Sequence, residues 1–122
     1  MIQIPNTKRY VLEERTLNFT QRIIGYTKRL PKTTANFEIT KQLIRAAGSV
    51  GANYIEANEA LGKKDFLMRI KICKKEAKES RYWLVLSEPD SSDKQITSEK
   101  EDLINESTEL MKIFGAIIEK SS

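Results

Sequence analysis

Apolar residues recur along the chain at alternating steps of four and three, the spacing that places one stripe on one side of an α-helix. The repeat occupies four segments and predicts helices over residues 11–30, 36–61, 63–87 and 99–119. The predicted inward stripes are Leu12, Thr16, Phe19, Ile23, Tyr26 and Leu30; Ile39, Leu43, Ala46, Val50, Asn53, Ala57 and Ala60; Phe66, Ile70, Cys73, Ala77, Ser80 and Leu84; and Leu103, Ser107, Leu110, Phe114 and Ile117. Four helices of similar length joined by polar links favour a single all-α domain over residues 1–122, an antiparallel up-and-down four-helix bundle.

The start of the fourth helix and the small residues of the second carry further signals. Ser98 with Glu101 matches a capping box, which predicts that the fourth helix begins there. Gly48 and Gly51 lie inside the second helix, where each costs about 1 kcal/mol relative to alanine. We therefore expect a neighbouring backbone to approach this stretch closely, because such a contact would offset the cost.

Two further apolar rows lie away from the predicted core. At about 100° per residue, each row falls on a side of its helix that the core stripe does not use. The rows are Met68, Ile72 and Leu86 on the third helix and Ile104, Met111 and Ile118 on the fourth. Aligned apolar rows on a surface are typical of subunit contacts, so we expect these residues to form the interface of a homo-oligomer.

Composition limits the class of protein. Of the 122 residues, 39% are hydrophobic and 31% are charged, which suits a helix-rich globular protein. Cys73 is the one cysteine, so no internal disulfide can form, which agrees with a reducing cytoplasm. Residues 1–5 are too short for a signal peptide, and no apolar run approaches the roughly 18 residues of a membrane span. We therefore expect a cytoplasmic protein without a membrane partner.

The sequence lacks the residues that common catalytic sites need. It contains no histidine, which removes the commonest general base and metal ligand and the Glu-x-x-His pairs of di-iron bundles. Cys73 lies on a core stripe and has no histidine partner to activate it. The run from Gly48 to Gly51 lacks the Lys-Ser/Thr ending of a phosphate-binding loop. We therefore predict no enzymatic activity, no metal or other cofactor and no small-molecule substrate.

One polar residue interrupts the core stripe of the second helix. Asn53 falls on that stripe, and a buried polar residue needs hydrogen-bonding partners. We expect a structural network that fixes helix register and comprises Asn53, Glu56, Glu76, Arg81 and Tyr82. A pair of carboxylates for acid–base chemistry, Glu56 with Glu59, is the alternative.

Positive charge concentrates on the third helix. The net charge is +4, and residues 62–83 hold eight basic and three acidic residues. Helical spacing places most lysines of this segment on one outward face, where they repel one another unless Glu79 or a ligand relieves them. Phosphate backbones relieve such repulsion, so we predict a nucleic-acid-binding face directed by charge and shape, formed by Lys64, Lys71, Lys74, Lys75 and Lys78. A merely solvated face is the alternative.

The central segment also resembles a known family. Its matching elements are Arg45-Ala46-Ala47, Ala52-Asn53, Glu56-Ala57, Lys64-Asp65-Phe66, Glu76-Ala77 and Tyr82-Trp83-Leu84. They resemble the bacterial four-helix-bundle protein family, which includes proteins encoded in intervening sequences of 23S rRNA genes. The resemblance implies a cytoplasmic, non-enzymatic bundle that looks like a ring-forming homopentamer. The similar accessory protein of diversity-generating retroelements suggests nucleic-acid and reverse-transcriptase partners.

Two functional hypotheses follow. The first is a homo-oligomeric bundle, pentameric by resemblance, that binds RNA or another nucleic acid through its basic face. The second is a protein-binding scaffold or accessory subunit whose basic face meets an acidic protein partner. The first predicts binding that weakens steeply with salt, whereas the second predicts a co-purifying protein that resists nuclease.

Overall fold

The computed structural model describes residues 6–122, with side chains from residue 9 onward. Residues 1–5 lie outside the described residues, so the prediction that they form no signal peptide is not tested. The four helices are α1 (Asn6–Lys28), α2 (Thr34–Asn58), α3 (Lys63–Leu86) and α4 (Lys94–Ser121). Each helix packs against the next, and α4 contacts α1, so the four form a closed ring of helices. The predicted all-α four-helix bundle is confirmed.

The core lies where the apolar stripes of the four helices meet. The predicted stripes of α1 and α3 are buried at every position. Ile39 and Asn53 of α2 and Ile117 of α4 are only half-buried. The core also contains buried residues that the stripes did not include, namely Ala47, Tyr54 and Ile96. None of the described helices combines the length with the apolar character that a membrane crossing requires.

Helix α4 begins about one turn before its predicted start, and the predicted capping box does not form. The Asp93 carboxylate accepts a hydrogen bond from the backbone N–H of Ile96 at 3.2 Å and caps the helix. Ser98 and Glu101 lie inside α4 and are exposed. The buried side chain of Ile96 explains the earlier start, because it extends the apolar stripe into a segment that otherwise is polar.

Two other predicted helix ends also differ. Helix α1 begins at Asn6 rather than residue 11, and its first turns carry the exposed Tyr10, so apolar spacing does not reveal them. Helix α2 ends at Asn58 rather than residue 61, and Leu61 is 98% exposed. The Thr33 hydroxyl caps the start of α2 by accepting a hydrogen bond from the Asn36 N–H at 3.1 Å.

The predicted close approach occurs at one of the two helical glycines. A Cβ on Gly51 would lie 3.3 Å from the Thr16 hydroxyl oxygen, and the Thr20 hydroxyl donates to the Ala47 carbonyl at 2.9 Å. Helices α1 and α2 therefore touch closely along this stretch. A Cβ on Gly48 would meet no heavy atom within 4 Å, so for Gly48 the prediction is wrong.

A ladder of ion pairs joins α1 to α4. Its arginines are seven residues apart on α1, and their partners descend α4 in the opposite direction, as antiparallel packing requires. The pairs, with their N–O distances, are Arg15 with Glu106 (2.7 Å), Arg22 with Glu99 (2.7 Å) and Arg29 with Asp93 (3.0 Å).

Candidate nucleic-acid interface

Four lysines form a continuous row on the outward side of α3. Lys64, Lys71, Lys75 and Lys78 are all exposed, and we call this row the lysine stripe. At a rise of about 1.5 Å per residue, the stripe extends about 21 Å along the helix. The structure therefore brings these four predicted residues together on one face.

The fifth predicted lysine points to a different place. The Lys74 ammonium nitrogen lies 3.6 Å from the position that a Cβ on Gly115 would occupy, so this side chain extends across α4. Lys74 is exposed, but it borders the lysine stripe on the α4 side rather than belonging to it.

The acidic residues of α3 pair with arginines rather than with the lysines of the stripe. Asp65 lies 4.0 Å from Arg69, and the Glu79 carboxylate accepts a hydrogen bond of 2.6 Å from Arg45 of α2. Glu79 therefore does not relieve the stripe. Among the residues whose side chains are described, no lysine of the stripe takes part in an ion pair.

The Glu79 cluster also contains a buried carboxylate. Glu76 is buried, and its Oε1 lies 3.6 Å from Arg45, too far for a hydrogen bond. Burial, followed by the neighbouring Glu79, raises the pKa of Glu76, and Arg45 opposes the rise. The hydrogen bond from Arg45, aided by the Trp83 indole N–H at 3.3 Å, lowers the pKa of Glu79. One arginine of α2 thus holds two carboxylates of α3.

The network predicted around Asn53 is wrong. The Asn53 amide donates to the Ser49 carbonyl at 2.9 Å and accepts from Arg69 at 3.1 Å, so its partners differ from the predicted ones. The other predicted members do not join it: Glu76 lies beside Arg45 at 3.6 Å, Arg81 donates to Thr108 at 3.1 Å, and Glu56 and Tyr82 are exposed. The sequence could not reveal the contact between Asn53 and Arg69, because it depends on the register between α2 and α3.

The predicted interface rows have different environments. On α4, Ile104, Met111 and Ile118 are partly buried and pack against the core, so the bundle itself accounts for their apolar character. On α3, Met68 is 48% exposed and lies with Ile72 in an open hollow that Lys64, Asp65, Lys71 and Lys75 also line. Leu86 is exposed as well. The assignment of these rows to an oligomer interface stays a prediction.

An exposed apolar surface that the stripes did not indicate runs along the junction of α1 and α2. Helical spacing puts Phe37, Ile44 and Ile55 on one side of α2, with the uncovered Gly48 between them. Phe37 and Ile55 are more than half exposed, as is Leu17 of α1. We call this surface, formed by Leu17, Phe37, Ile44 and Ile55, the α1–α2 seam.

The cysteine and the two glutamates considered for chemistry lie in different environments. The thiol of Cys73 is buried and lies 3.4 Å from the Val50 carbonyl oxygen, and burial raises its pKa to about 12. Glu56 and Glu59 are both exposed on α2. Within residues 9–122, no three side chains of the metal-binding types come together as a possible site.

Known proteins share this sequence and fold. The model of the 23S rRNA-intervening sequence protein family matches residues 8–116. A crystal structure from Bacteroides thetaiotaomicron VPI-5482, described as a protein with unknown function from the S23 ribosomal protein family, is 35% identical. It superposes with a TM-score of 0.76, over 92% of this chain and 98% of the other. No curated protein matches the chain. The resemblance found in the central motif is confirmed, and the chain belongs to the 23S rRNA-intervening sequence protein family.

Proposed function

We propose that this protein is a non-enzymatic, homo-oligomeric bundle of the cytoplasm that binds RNA through the lysine stripe of α3. One observation carries the proposal: among the residues with described side chains, the acidic residues of α3 pair with arginines, and none of them pairs with a lysine of the stripe. Unpaired lysines stacked on one helix face repel one another, and a phosphate backbone removes that repulsion while releasing its own counterions. The family description, which names a ribosomal RNA intervening sequence, supports RNA as the polyanion.

Salt dependence and charge reversal test this proposal. Each phosphate neutralised on a single strand contributes about −0.7 to the slope of log K against log salt, so four lysines predict a slope near −3. We expect the triple variant K71E/K75E/K78E to lose binding to RNA. The control variant K94E/K112E/K120E has the same net charge but changes exposed lysines of α4, and should keep most of the affinity. Absence of binding by the unmodified protein at low salt would refute RNA binding.

The assembly rests on two unlike apolar surfaces. The α1–α2 seam and the exposed row of α3 lie on different sides of the bundle, since α1 and α3 are diagonal and do not contact each other. Unlike surfaces pair head to tail, which produces a ring when the rotation closes. We expect light scattering to give a multiple of 14.0 kDa, reduced by Met68→Glu but not by Leu61→Glu, which changes an exposed residue outside both surfaces. A mass of 14 kDa for the unmodified protein would exclude the oligomer.

A protein-binding scaffold is the second candidate function. The observation that favours it is the apolar hollow around Met68 and Ile72, whose charged lining is mainly basic: three lysines and one aspartate, namely Lys64, Lys71, Lys75 and Asp65. An acidic, amphipathic partner would fit such a surface. Recovery of a partner protein after nuclease treatment, together with weak and salt-insensitive RNA binding, would favour this function over the first.

A further inference from the structure

One aromatic residue continues the lysine stripe. Tyr82 follows Lys75 by seven residues and Lys78 by four, so it falls on the same outward line of α3. Its side chain is 57% exposed. Tyr82 therefore lies at the end of the basic face and not in the predicted polar network around Asn53.

The ring of Tyr82 is held by its neighbour. The ring of Trp83 meets it edge-on, with centroids 5.0 Å apart and planes at 78°. Trp83 is itself fixed, because its indole N–H donates to the Glu79 carboxylate at 3.3 Å and Glu79 is held by Arg45. Tyr82 is therefore an exposed aromatic ring on a rigid support.

A hollow beside Tyr82 has the polarity that a nucleotide requires. Its volume is about 430 Å³. Val85 and Met111 contribute apolar surface, whereas Lys78 and Arg81 contribute positive charge. Arg81 is oriented by its hydrogen bond to Thr108 of α4. Among the residues with described side chains, no acidic one lines the hollow.

We propose that Tyr82 stacks an unpaired base of an RNA strand whose phosphates lie along the lysine stripe. This inference rests on the proposed function and deepens it, since it identifies the ligand as single-stranded rather than duplex RNA. An aromatic ring can stack any base, so the site needs no base-specific hydrogen bonds. In a duplex the bases are already paired and stacked, so Tyr82 would have nothing to bind.

The test compares two RNA probes and three tyrosine variants by fluorescence titration at low salt. The probes are a 12-nucleotide oligouridylate and a 12-base-pair RNA duplex of mixed sequence. We expect Tyr82→Ala to weaken binding of the single strand about tenfold and to leave duplex binding unchanged. Tyr82→Phe keeps the ring and should bind like the unmodified protein. Tyr10→Ala removes an exposed tyrosine on another helix and should also have no effect.

The single tryptophan supplies an independent signal. Trp83 is the only tryptophan in the chain and touches Tyr82, so stacking at Tyr82 should change its emission when the single strand binds. This change should be absent in Tyr82→Ala. The melting temperature of that variant should equal that of the unmodified protein, because the side chain is exposed.

Three other outcomes would distinguish a failure of the stacking proposal from a failure of the proposed RNA-binding function. If Tyr82→Ala binds the single strand normally while K71E/K75E/K78E does not, stacking is wrong and the RNA-binding function stands. If the unmodified protein binds neither probe, the proposed function itself fails. If Tyr82→Ala changes only the oligomeric mass, Tyr82 belongs to a contact between copies, and the inference is overturned.

Discussion

Alanine substitutions at the two helical glycines of α2 should have opposite effects on stability. Both residues lie inside the helix, where alanine is favoured over glycine by about 1 kcal/mol. At Gly48 the new methyl group meets nothing within 4 Å, so the full gain should appear. We expect Gly48→Ala to raise the free energy of unfolding by about 1 kcal/mol.

At Gly51 the new methyl group meets α1. It would lie 3.3 Å from the hydroxyl oxygen of Thr16 and 3.9 Å from its carbonyl carbon. Thr16 cannot easily move, because it is buried and its hydroxyl donates to the Glu13 carbonyl at 2.9 Å. Overpacking of this kind costs about 1–3 kcal/mol, which cancels or exceeds the gain in helix propensity. We expect Gly51→Ala to change stability by between about 0 and −2 kcal/mol.

Urea denaturation followed by circular dichroism measures both effects. The protein concentration must be the same for all variants, because assembly would make the apparent stability depend on concentration. A Thr16→Ala background supplies the control, since it removes the atom nearest to the new methyl group. In that background Gly51→Ala should be less costly, giving a measurable coupling between the two positions.

Two results would refute this reasoning. If Gly51→Ala stabilises the protein as much as Gly48→Ala, α1 and α2 do not approach each other as closely as the structure indicates. If Gly48→Ala destabilises the protein at every concentration, the space outside Gly48 is filled within the subunit. A loss at Gly48 that disappears on dilution would instead show that a second copy covers the α1–α2 seam.

The remaining predictions concern the cap of α4 and the buried carboxylate of α3. Asp93→Ala should destabilise the protein by about 1 kcal/mol or more, since it removes the side chain that caps the Ile96 N–H. Ser98→Ala should change stability by less than about 0.5 kcal/mol. Equal losses of stability for the two variants in urea denaturation would indicate that Ser98 caps α4, as the capping box predicts. The raised pKa of Glu76 means that the fold disfavours its charged form, so its contribution to stability is full at low pH and is lost as the pH rises through that pKa. Glu76→Gln should therefore gain stability relative to the unmodified protein as the pH rises above 4.5, the ordinary pKa of a glutamate. A difference independent of pH in the same assay would show that burial does not control this group.

The sequence predicts the fold well because the spacing of apolar residues within each helix indicates which side of that helix is buried. The stripes of α1 and α3 are buried at every predicted position, since an apolar side chain at four-three spacing has only the core to enter. The start of α4 was missed because Asp93 and Ile96 lie in a polar segment, where one isoleucine does not form a repeat. Intrahelical patterns thus define which face is buried, but less well where a helix begins.

The polar contacts were harder to predict for a physical reason. Arg45 meets Glu79 across 34 residues, and no spacing within either helix indicates that pairing, which depends on how far α2 slides along α3. Tyr82 is different, because its position on the lysine stripe follows from helical spacing alone. Its predicted place in the Asn53 network is wrong because residue 82 lies on the outward side of α3, as this spacing indicates.

Arginines and lysines have different roles in this bundle, and the difference leaves the lysines on the α3 face unpaired among the described residues. Within residues 9–122, the ion pairs between helices are all made by arginines: the α1 ladder to α4, and Arg45 to two carboxylates of α3. A planar guanidinium suits this role because it can bind both carboxylate oxygens, as Arg15 does with Glu106 at 2.7 and 2.8 Å. The single lysine pair, Lys41 with Glu38, lies within one helix. The arginines therefore occupy the acidic groups that hold the bundle together, including those of α3. Most of the positive charge on α3 that has no carboxylate partner among the described residues belongs to lysines, and four of them form the lysine stripe that leads to Tyr82, the face that we propose binds RNA.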